Sequence, residues 1–449
     1  MEMASSSGWS SALVGGADTI VARSSPAGRG GLALIRVSGR ETRALAEAVI
    51  PELDMNRGWR ASLVELRSTD GERIDRAVAL PYPAPRSYTG EDMLEVMVHG
   101  SPWIIRATIE AFVAAGARRA GPGEFTRRAV ANGKLDLVQA EAINELTSAE
   151  TACQARVARA QVEGLLSREF AELRGTLVDL LAEIEGALDF SHQDIPFDVD
   201  SAENRRQKSL TQVGALLATA SKGRRIRDGV RVVIVGPPNS GKSTLFNLLV
   251  GQERAIVSPH PGTTRDVVEA ELEVAGVRLI LKDTAGLGAT SDPVEREGVR
   301  RARGAAADAD AVLLLWPADG ARDTVPAAAE NQPTLMVRSK WDLAGADEIP
   351  NGWTVVSCKT GEGVGELRNA LSRMVEAEVA DVGGEIAIAE RHRRALEVAA
   401  AELKGADFSL PEVGAEAVRG ALEAVRELTG EVGTEDLLDR IFSSFCVGK

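Results

Sequence analysis

Cysteine is scarce. Cys153, Cys358 and Cys446 are the only three in 449 residues, too few and too scattered for a disulfide framework or a zinc site, which points to a reducing, cytoplasmic setting. No stretch approaches the roughly 18 to 20 uninterrupted apolar residues of a membrane-spanning helix. The opening "MEMASSSGWSSALVGGAD" has neither a basic start nor an apolar run before a small-residue cleavage site, so it reads as a disordered lead-in and not as a secretory signal. A cationic excess is also missing: the formal charge is −14, against a broadly basic nucleic-acid-binding surface. Glycine and proline nearly vanish between about residues 135 and 221, except in "HQDIPFDVD", and apolar residues recur there at helical spacing.

What is present divides into segments, since 449 residues exceed what one hydrophobic core usually organises. From Asp18 to about Leu80, short β-branched runs such as "DTIVA" and "LALIRVSG" alternate with turns, with a helix at "TRALAEAVI", the pattern of a small α+β domain. At "GVRVVIVGPPNSGKSTLFNLLVG" a buried strand, a Gly-rich turn and a helix open a region of alternating strands and helices, which predicts a parallel α/β sheet. From about Ala377 the chain is helical again. The expected organisation is multidomain α/β: a lead-in over 1–17, an N-terminal α+β domain over 18–133, an all-helical domain split between 134–226 and 378–449, and an inserted Ras-like P-loop domain over 227–377.

"GPPNSGKS" matches G-x-x-x-x-G-K-[ST] in the strand-loop-helix context that the motif requires. Backbone N–H groups of Asn239, Ser240 and Gly241 and the start of the following helix at Thr244 present partial positive charge to phosphates. Lys242 reaches the outer ones and Ser243 offers a hydroxyl to Mg2+. "GTTRD" supplies Thr264, a candidate Mg2+ and γ-phosphate ligand. "LILKDTAG" ends on Asp283, Thr284, Ala285 and Gly286, a D-x-x-G arrangement; in this order the elements describe a GTPase. "RSKWD" places Lys340 and Asp342 after a strand, where the carboxylate accepts two hydrogen bonds from guanine while the lysine stem packs on the base. "SCK", Ser357, Cys358 and Lys359, resembles the last guanine-contacting loop.

Two expected residues are absent. Ser339 stands where such motifs carry asparagine, which removes or weakens one contact to the base, and Leu287 stands where Ras-type proteins place the water-orienting glutamine. Help with hydrolysis is therefore sought in Arg265 as an arginine finger, in a monovalent cation held by Asn239 and the oxygen-rich stretch "SPHPGTT", or in an acidic residue such as Glu295 orienting water.

The combination of "PGTTRD" and "DTAGL" with "TIVARSSPAGRGGLALIRVSG", "SYTGEDMLEVMVHG", "GPGEFTRRAVANGKLDLVQAEAINEL" and "LTGEVGTEDLLDRIFSSFCVGK" closely resembles the MnmE (TrmE) family of tRNA modification GTPases, from about Asp18 to the end. That resemblance implies an N-terminal tetrahydrofolate-binding domain that forms a homodimer, a discontinuous helical domain and an inserted G domain. It also implies K+ dependence, with Asn239, Ser258, His260 and Thr263 as K+ ligands, Pro259, Pro261 and Gly262 in the same nucleotide loop, Mg2+ on Ser243 and Thr264, and Glu295 orienting water. The implied reaction builds a carboxymethylaminomethyl or aminomethyl group on carbon 5 of the wobble uridine of certain tRNAs. The carbon comes from 5,10-methylene-tetrahydrofolate, for which 5-formyl-tetrahydrofolate is an analogue, and the FAD protein MnmG (GidA) joins in a heterotetramer. The folate would be held by Arg36, Glu95, Lys134 and Lys449. Read alone, Arg36, Glu95 and Lys134 are ordinary surface charges.

Two other readings compete. A ribosome-assembly switch GTPase of the Era type shares the nucleotide motifs but would append a basic RNA-binding module. A membrane-anchored GTPase would use "CVGK" as a prenylation box, yet Gly448 and Lys449 suit that signal poorly and no polybasic run adjoins it, so no membrane anchor is expected. Thr434 is expected to cap a terminal helix whose Leu437, Ile441 and Phe445 share one face, delivering Cys446 to the folate or the modification chemistry.

Overall fold

A computed structural model describes residues 18–189, 197–237, 239–252, 254–255, 268–283, 309–318, 332–344, 349, 351–379, 386–431 and 435–449. The chain forms two compact units, one of 1–144, 162–210 and 395–449, the other of 145–161 and 211–394.

In the first unit the chain runs β1 (Ile20–Arg23), β2 (Leu32–Ser38), α1 (Thr42–Val49), β3 (Ser62–Arg67), β4 (Arg73–Tyr82), β5 (Met93–His99), α2 (Pro102–Ala114), β6 (Arg118–Arg119) and α3 (Glu124–Ala131). The six strands order as β3-β4-β5-β2-β1-β6, antiparallel except that β6 runs parallel to β1. Period-two alternation decides which face each side chain takes. Ala33, Ile35 and Val37 of β2 and Leu94, Val96 and Val98 of β5 are buried in one core with Leu45 and Val49 of α1 and Ile109 and Phe112 of α2. Arg36 and Glu95 fall between those residues and so take the opposite face, and the register sets them directly across from one another. On that second face Phe125 of α3 packs with Ile20, Ala22, Ala120 and Tyr88.

Helices α4 (Leu137–Ser148), α5 (Ala152–Val162), α6 (Leu165–Asp189), α7 (Val199–Ala218) and α8 (Ala220–Asp228) follow. In α6 the buried residues are Leu166, Phe170, Leu173, Leu177, Leu180 and Ile184, an alternating spacing of four and three that makes one continuous seam.

The second unit contains β7 (Val230–Val235), α9 (Lys242–Gln252), β8 (Arg254–Ala255), β9 (Val268–Val274), β10 (Val277–Asp283), β11 (Ala311–Pro317), β12 (Thr334–Ser339), β13 (Trp353–Val355) and α10 (Val364–Val379). The sheet order is β13-β12-β11-β7-β10-β9-β8. The five strands from β13 to β10 are mutually parallel, as the alternation predicts. The exception is β9, which runs antiparallel to both its neighbours, β10 and the short β8. This difference has a local cause: β9 and β10 are joined by Ala275 and Gly276, with φ of 52° and 74°, the two left-handed residues of a tight hairpin turn. Cys153 and Val157 of α5 lie in the core of this unit, and the Cys153 N–H donates to Gly276 O at 3.1 Å.

The chain closes with α11 (Glu390–Gly405), α12 (Pro411–Thr429) and α13 (Glu435–Phe442). Within the first unit the seam of α6 packs along α12, whose buried side is made mostly of small residues: Gly414, Ala415, Ala417, Val418, Ala421, Ala424, Val425 and Leu428. The architecture is thus an N-terminal α+β domain, a helical domain discontinuous in sequence, and a Ras-like P-loop domain inserted in it. Among the described residues no helix is long and apolar enough to cross a membrane.

Candidate functional site

In the first unit a cavity of about 510 Å³ opens on the second face of the six-stranded sheet, lined by Arg36, Trp59, Tyr82, Arg86, Ser87, Tyr88, Met93, Glu95 and Lys134. The Arg36 guanidinium donates from Nε and Nη2 to Glu95 Oε1, at 3.0 and 2.7 Å. Both side chains are only 16% exposed, so this is a largely desolvated pair. The other Glu95 oxygen accepts from Tyr82 Oη at 3.1 Å. The Arg36 guanidinium also stands 5.3 Å from the Tyr88 ring centroid and 5.5 Å from that of Phe125, within cation–π range. Lys134 Nζ donates to Pro85 O at 3.1 Å.

The chain terminus contacts Arg36, one of the residues that line this cavity. The third Arg36 donor, Nη1, reaches Gly448 O at 3.3 Å, and Ser24 Oγ donates to the same carbonyl at 2.8 Å. A terminal oxygen of Lys449 accepts the Phe125 N–H at 3.1 Å. Burial, and behind it repulsion from Arg36, lower the pKa of the half-buried Lys449 ammonium, while Cys446 opposes the shift. Cys446 itself is exposed. Arg36, Glu95 and Lys134 therefore line one cavity, and Lys449 stands beside it. The chemistry on offer is a carboxylate for N–H donors, cations for a carboxylate or formyl oxygen, and aromatic walls for a flat ring.

The tail packs by a different stripe from the one the sequence suggests. Leu438, Phe442 and Phe445 are buried against Leu137 and Ala140, with Ile441 partly so; Leu437 is outside this cluster. The reason is that α13 ends at Phe442. Phe445 therefore reaches the core from the following turn and not by helical spacing. Thr434 lies outside the described residues.

Trp59, Tyr82, Tyr88, Arg86 and Met93 escaped the sequence reading, although one signal was available: the chain has two tyrosines in all, and both line this cavity. That scarcity yields a measurement. Burial, with the Glu95 charge behind it, pushes Tyr82 up to about 12, partly offset by Arg36. Burial likewise raises Tyr88. An ordinary tyrosine titrates near 10, so between about 10 and 12 the unfolded chain loses phenolic protons that the folded one keeps. Stability is full below about 10 and falls as pH rises through that window. In a phenolate absorbance titration no tyrosine of the native protein should ionise at its ordinary pH, whereas both should in denaturant.

In the second unit, the turn between β7 and α9 carries the phosphate-loop residues. Asn239 has φ of 60°, and Ser240 is fully buried. Lys242 Nζ donates to Gly236 O and Pro237 O at 3.0 and 2.8 Å. Burial lowers its pKa and the Asp283 charge opposes the shift. Ser243 Oγ donates to Asp283 Oδ2 at 2.7 Å, two hard oxygens converging as a Mg2+ site with few protein ligands requires. Among the described residues no group of three or more His, Cys, Asp or Glu forms a metal cluster. Thr244 is exposed on the first turn of α9.

The base-side loops meet the same turn. Ser339 is buried, and its Oγ donates to Ser240 O at 2.6 Å. Ser357 Oγ donates to Asp342 Oδ1 at 2.7 Å, orienting an exposed carboxylate; Lys340 takes a left-handed φ of 56°. Burial and the Asp342 charge raise the pKa of the Cys358 thiol, and Lys359 is exposed in the same turn. The structure thus brings the phosphate loop, Asp283, Ser339, Asp342 and Ser357 to one end of the parallel strands, where α/β sheets bind ligands. Ser258, Pro259, His260, Pro261, Gly262, Thr263, Thr264, Arg265, Thr284, Ala285, Gly286 and Glu295 lie outside the described residues.

Comparison with known proteins bears on both units. Residues 19–134 match the family described as GTP-binding protein TrmE N-terminus, and residues 137–446 match the MnmE helical domain. A tRNA modification GTPase MnmE of Thermus thermophilus is 43% identical over 437 residues, 96% of this chain and 99% of that protein. One from Phenylobacterium zucineum is 41% identical over 448 residues, 96% and 100% of the two chains. One from a Synechococcus is 40% identical over 439 residues, 94% and 95%. With two family matches spanning nearly the whole length and relatives this similar from end to end, the chain belongs to the MnmE (TrmE) family of tRNA modification GTPases.

Proposed function

We propose that this protein hydrolyses GTP and, as a cytoplasmic homodimer in complex with MnmG (GidA), uses a tetrahydrofolate-borne carbon to build the aminomethyl or carboxymethylaminomethyl group on C5 of a tRNA wobble uridine. The observation that carries the reading is the cavity around Arg36 and Glu95 with the "FCVGK" terminus docked beside it. A switch GTPase has no use for such a site. Glu95 suits the amino and ring N–H donors of a pterin, Tyr88 and Trp59 its flat faces, and Lys134 and Lys449 the glutamyl carboxylate or a formyl oxygen.

In the other unit Lys242 stabilises the charge that develops on the γ-phosphate as water attacks phosphorus and the bond to the β-phosphate oxygen breaks. Bound Mg2+ would neutralise phosphate charge from Ser243 and Thr264. K+ would sit on Asn239, Ser258, His260 and Thr263, with Glu295 orienting the water and Arg265 a further candidate for transition-state charge. Asp342, held by Ser357, selects guanine.

Ser339 has a distinct task. Its hydroxyl is committed to the Ser240 carbonyl, so it ties the base-binding loop to the phosphate loop without contacting the base. Ser339→Ala should weaken GDP binding by about fivefold, the scale of one lost hydrogen bond, in an equilibrium titration. The reading as a whole is tested by GTP hydrolysis in potassium and in sodium salts and by equilibrium binding of 5-formyl-tetrahydrofolate. Faster hydrolysis in potassium together with folate binding supports it; equal rates and no binding overturn it.

A further inference from the structure

The last four residues are held almost wholly through their backbone. Val447 forms a bridge with Pro122, Gly123 N–H donates to Cys446 O at 3.3 Å, and Phe125 N–H donates to a Lys449 oxygen at 3.1 Å. The shortest hydrogen bond to the terminus is from Ser24 Oγ to Gly448 O, at 2.8 Å. Ser24 follows directly on β1, so the terminus is fastened to the end of a strand paired on both sides. Gly448 has φ of 98°, and a Cβ there would stand 2.1 Å from Arg23 O. Only glycine lets the chain come this close.

We propose that Ser24 and Gly448 are positioning residues: together they lock the chain terminus onto the end of β1 and so hold Lys449 and Cys446 beside the cavity. Arg36 shares itself between Glu95 and the locked carbonyl, which couples the lock to the cavity. A ligand whose N–H donors satisfy Glu95 leaves more of the Arg36 donor capacity to Gly448 O, and one whose carboxylate meets the Lys449 ammonium pins the side chain. Both effects favour the docked tail, so occupancy and docking reinforce one another. This coupling rests on the folate reading above; the lock does not.

A carboxypeptidase that removes C-terminal lysine provides the test, because it acts only on a released terminus and intact-mass measurement follows the loss of Lys449. In the full chain Ser24→Ala should speed lysine release about fivefold, as the loss of one hydrogen bond predicts. Ser24→Thr, which keeps the hydroxyl, should restore protection. Gly448→Ala, strained by both φ and contact, should release lysine faster still, and 5-formyl-tetrahydrofolate should slow release from the unaltered protein. Equal release from the unaltered chain, Ser24→Ala and Gly448→Ala overturns the lock. Release that differs among variants but ignores the folate supports the lock and overturns the coupling; only the absence of 5-formyl-tetrahydrofolate binding in the equilibrium titration overturns the folate reading.

Discussion

Replacing Lys242 by alanine is expected to lower kcat/KM for GTP by at least about a hundredfold, ~3 kcal/mol of transition-state stabilisation, the scale of one preorganised charge-stabilising group. The structure shows why this loss should be functional and not structural. Lys242 Nζ is bonded to carbonyls of its own loop, Gly236 O and Pro237 O, and among the described residues no distant element is hydrogen-bonded to it. Its half-buried ammonium carries a lowered pKa because burial disfavours the charge, with only Asp283 opposing; a phosphate there compensates a cation that its surroundings do not fully satisfy. Steady-state hydrolysis and a thermal melt of Lys242→Ala, taken together, check both halves. Hydrolysis near the original rate, or a melt lowered as much as by a core deletion, would contradict the assignment.

The second large effect belongs to Glu95. Removing one partner of a buried ion pair leaves the other charge uncompensated, at a cost of about 3 to 5 kcal/mol when burial is complete. With 16% of each side chain exposed, the lower end applies. Glu95→Ala should therefore lower folding stability by about 3 kcal/mol in a denaturant titration, and it should also weaken 5-formyl-tetrahydrofolate binding, since the acceptor for the ligand's N–H donors and the anchor of Arg36 both disappear. Glu95→Gln keeps the shape and removes the charge, and it has an independent readout. The Glu95 charge is one cause of the raised pKa of Tyr82, which stands at about 12. The glutamine variant should bring that tyrosine down toward its ordinary value near 10. A phenolate titration identical to that of the unaltered protein would show that Glu95 does not face Tyr82 in solution.

Much of this was legible in one dimension. The strand, Gly-rich loop and helix around "GPPNSGKS" needed only local patterning, because the loop binds phosphate through its own backbone and the adjoining helix start. The seam of α6 was equally visible, since apolar residues at helical spacing declare a buried face wherever the partner comes from. The hairpin of β9 and β10 was missed because its turn, Ala275 and Gly276, is a weak signal until φ is known. The role of Ser339 was only half legible. Its departure from asparagine could be seen, but the Ser240 carbonyl that it bonds lies 99 positions away.

What the sequence by itself determined is the set of local elements and the separate nucleotide motifs, because each motif is a short run of neighbouring residues. What only the tertiary structure decided is the cavity. Arg36 and Glu95 are 59 positions apart, and Arg36 and Gly448 are 412 apart; each reads as a commonplace charge or turn until the register of β2 against β5 and the docking of the terminus bring them together. Pairing across strands and burial of an ion pair depend on which distant segments share a face, and periodicity within a segment carries no information about that.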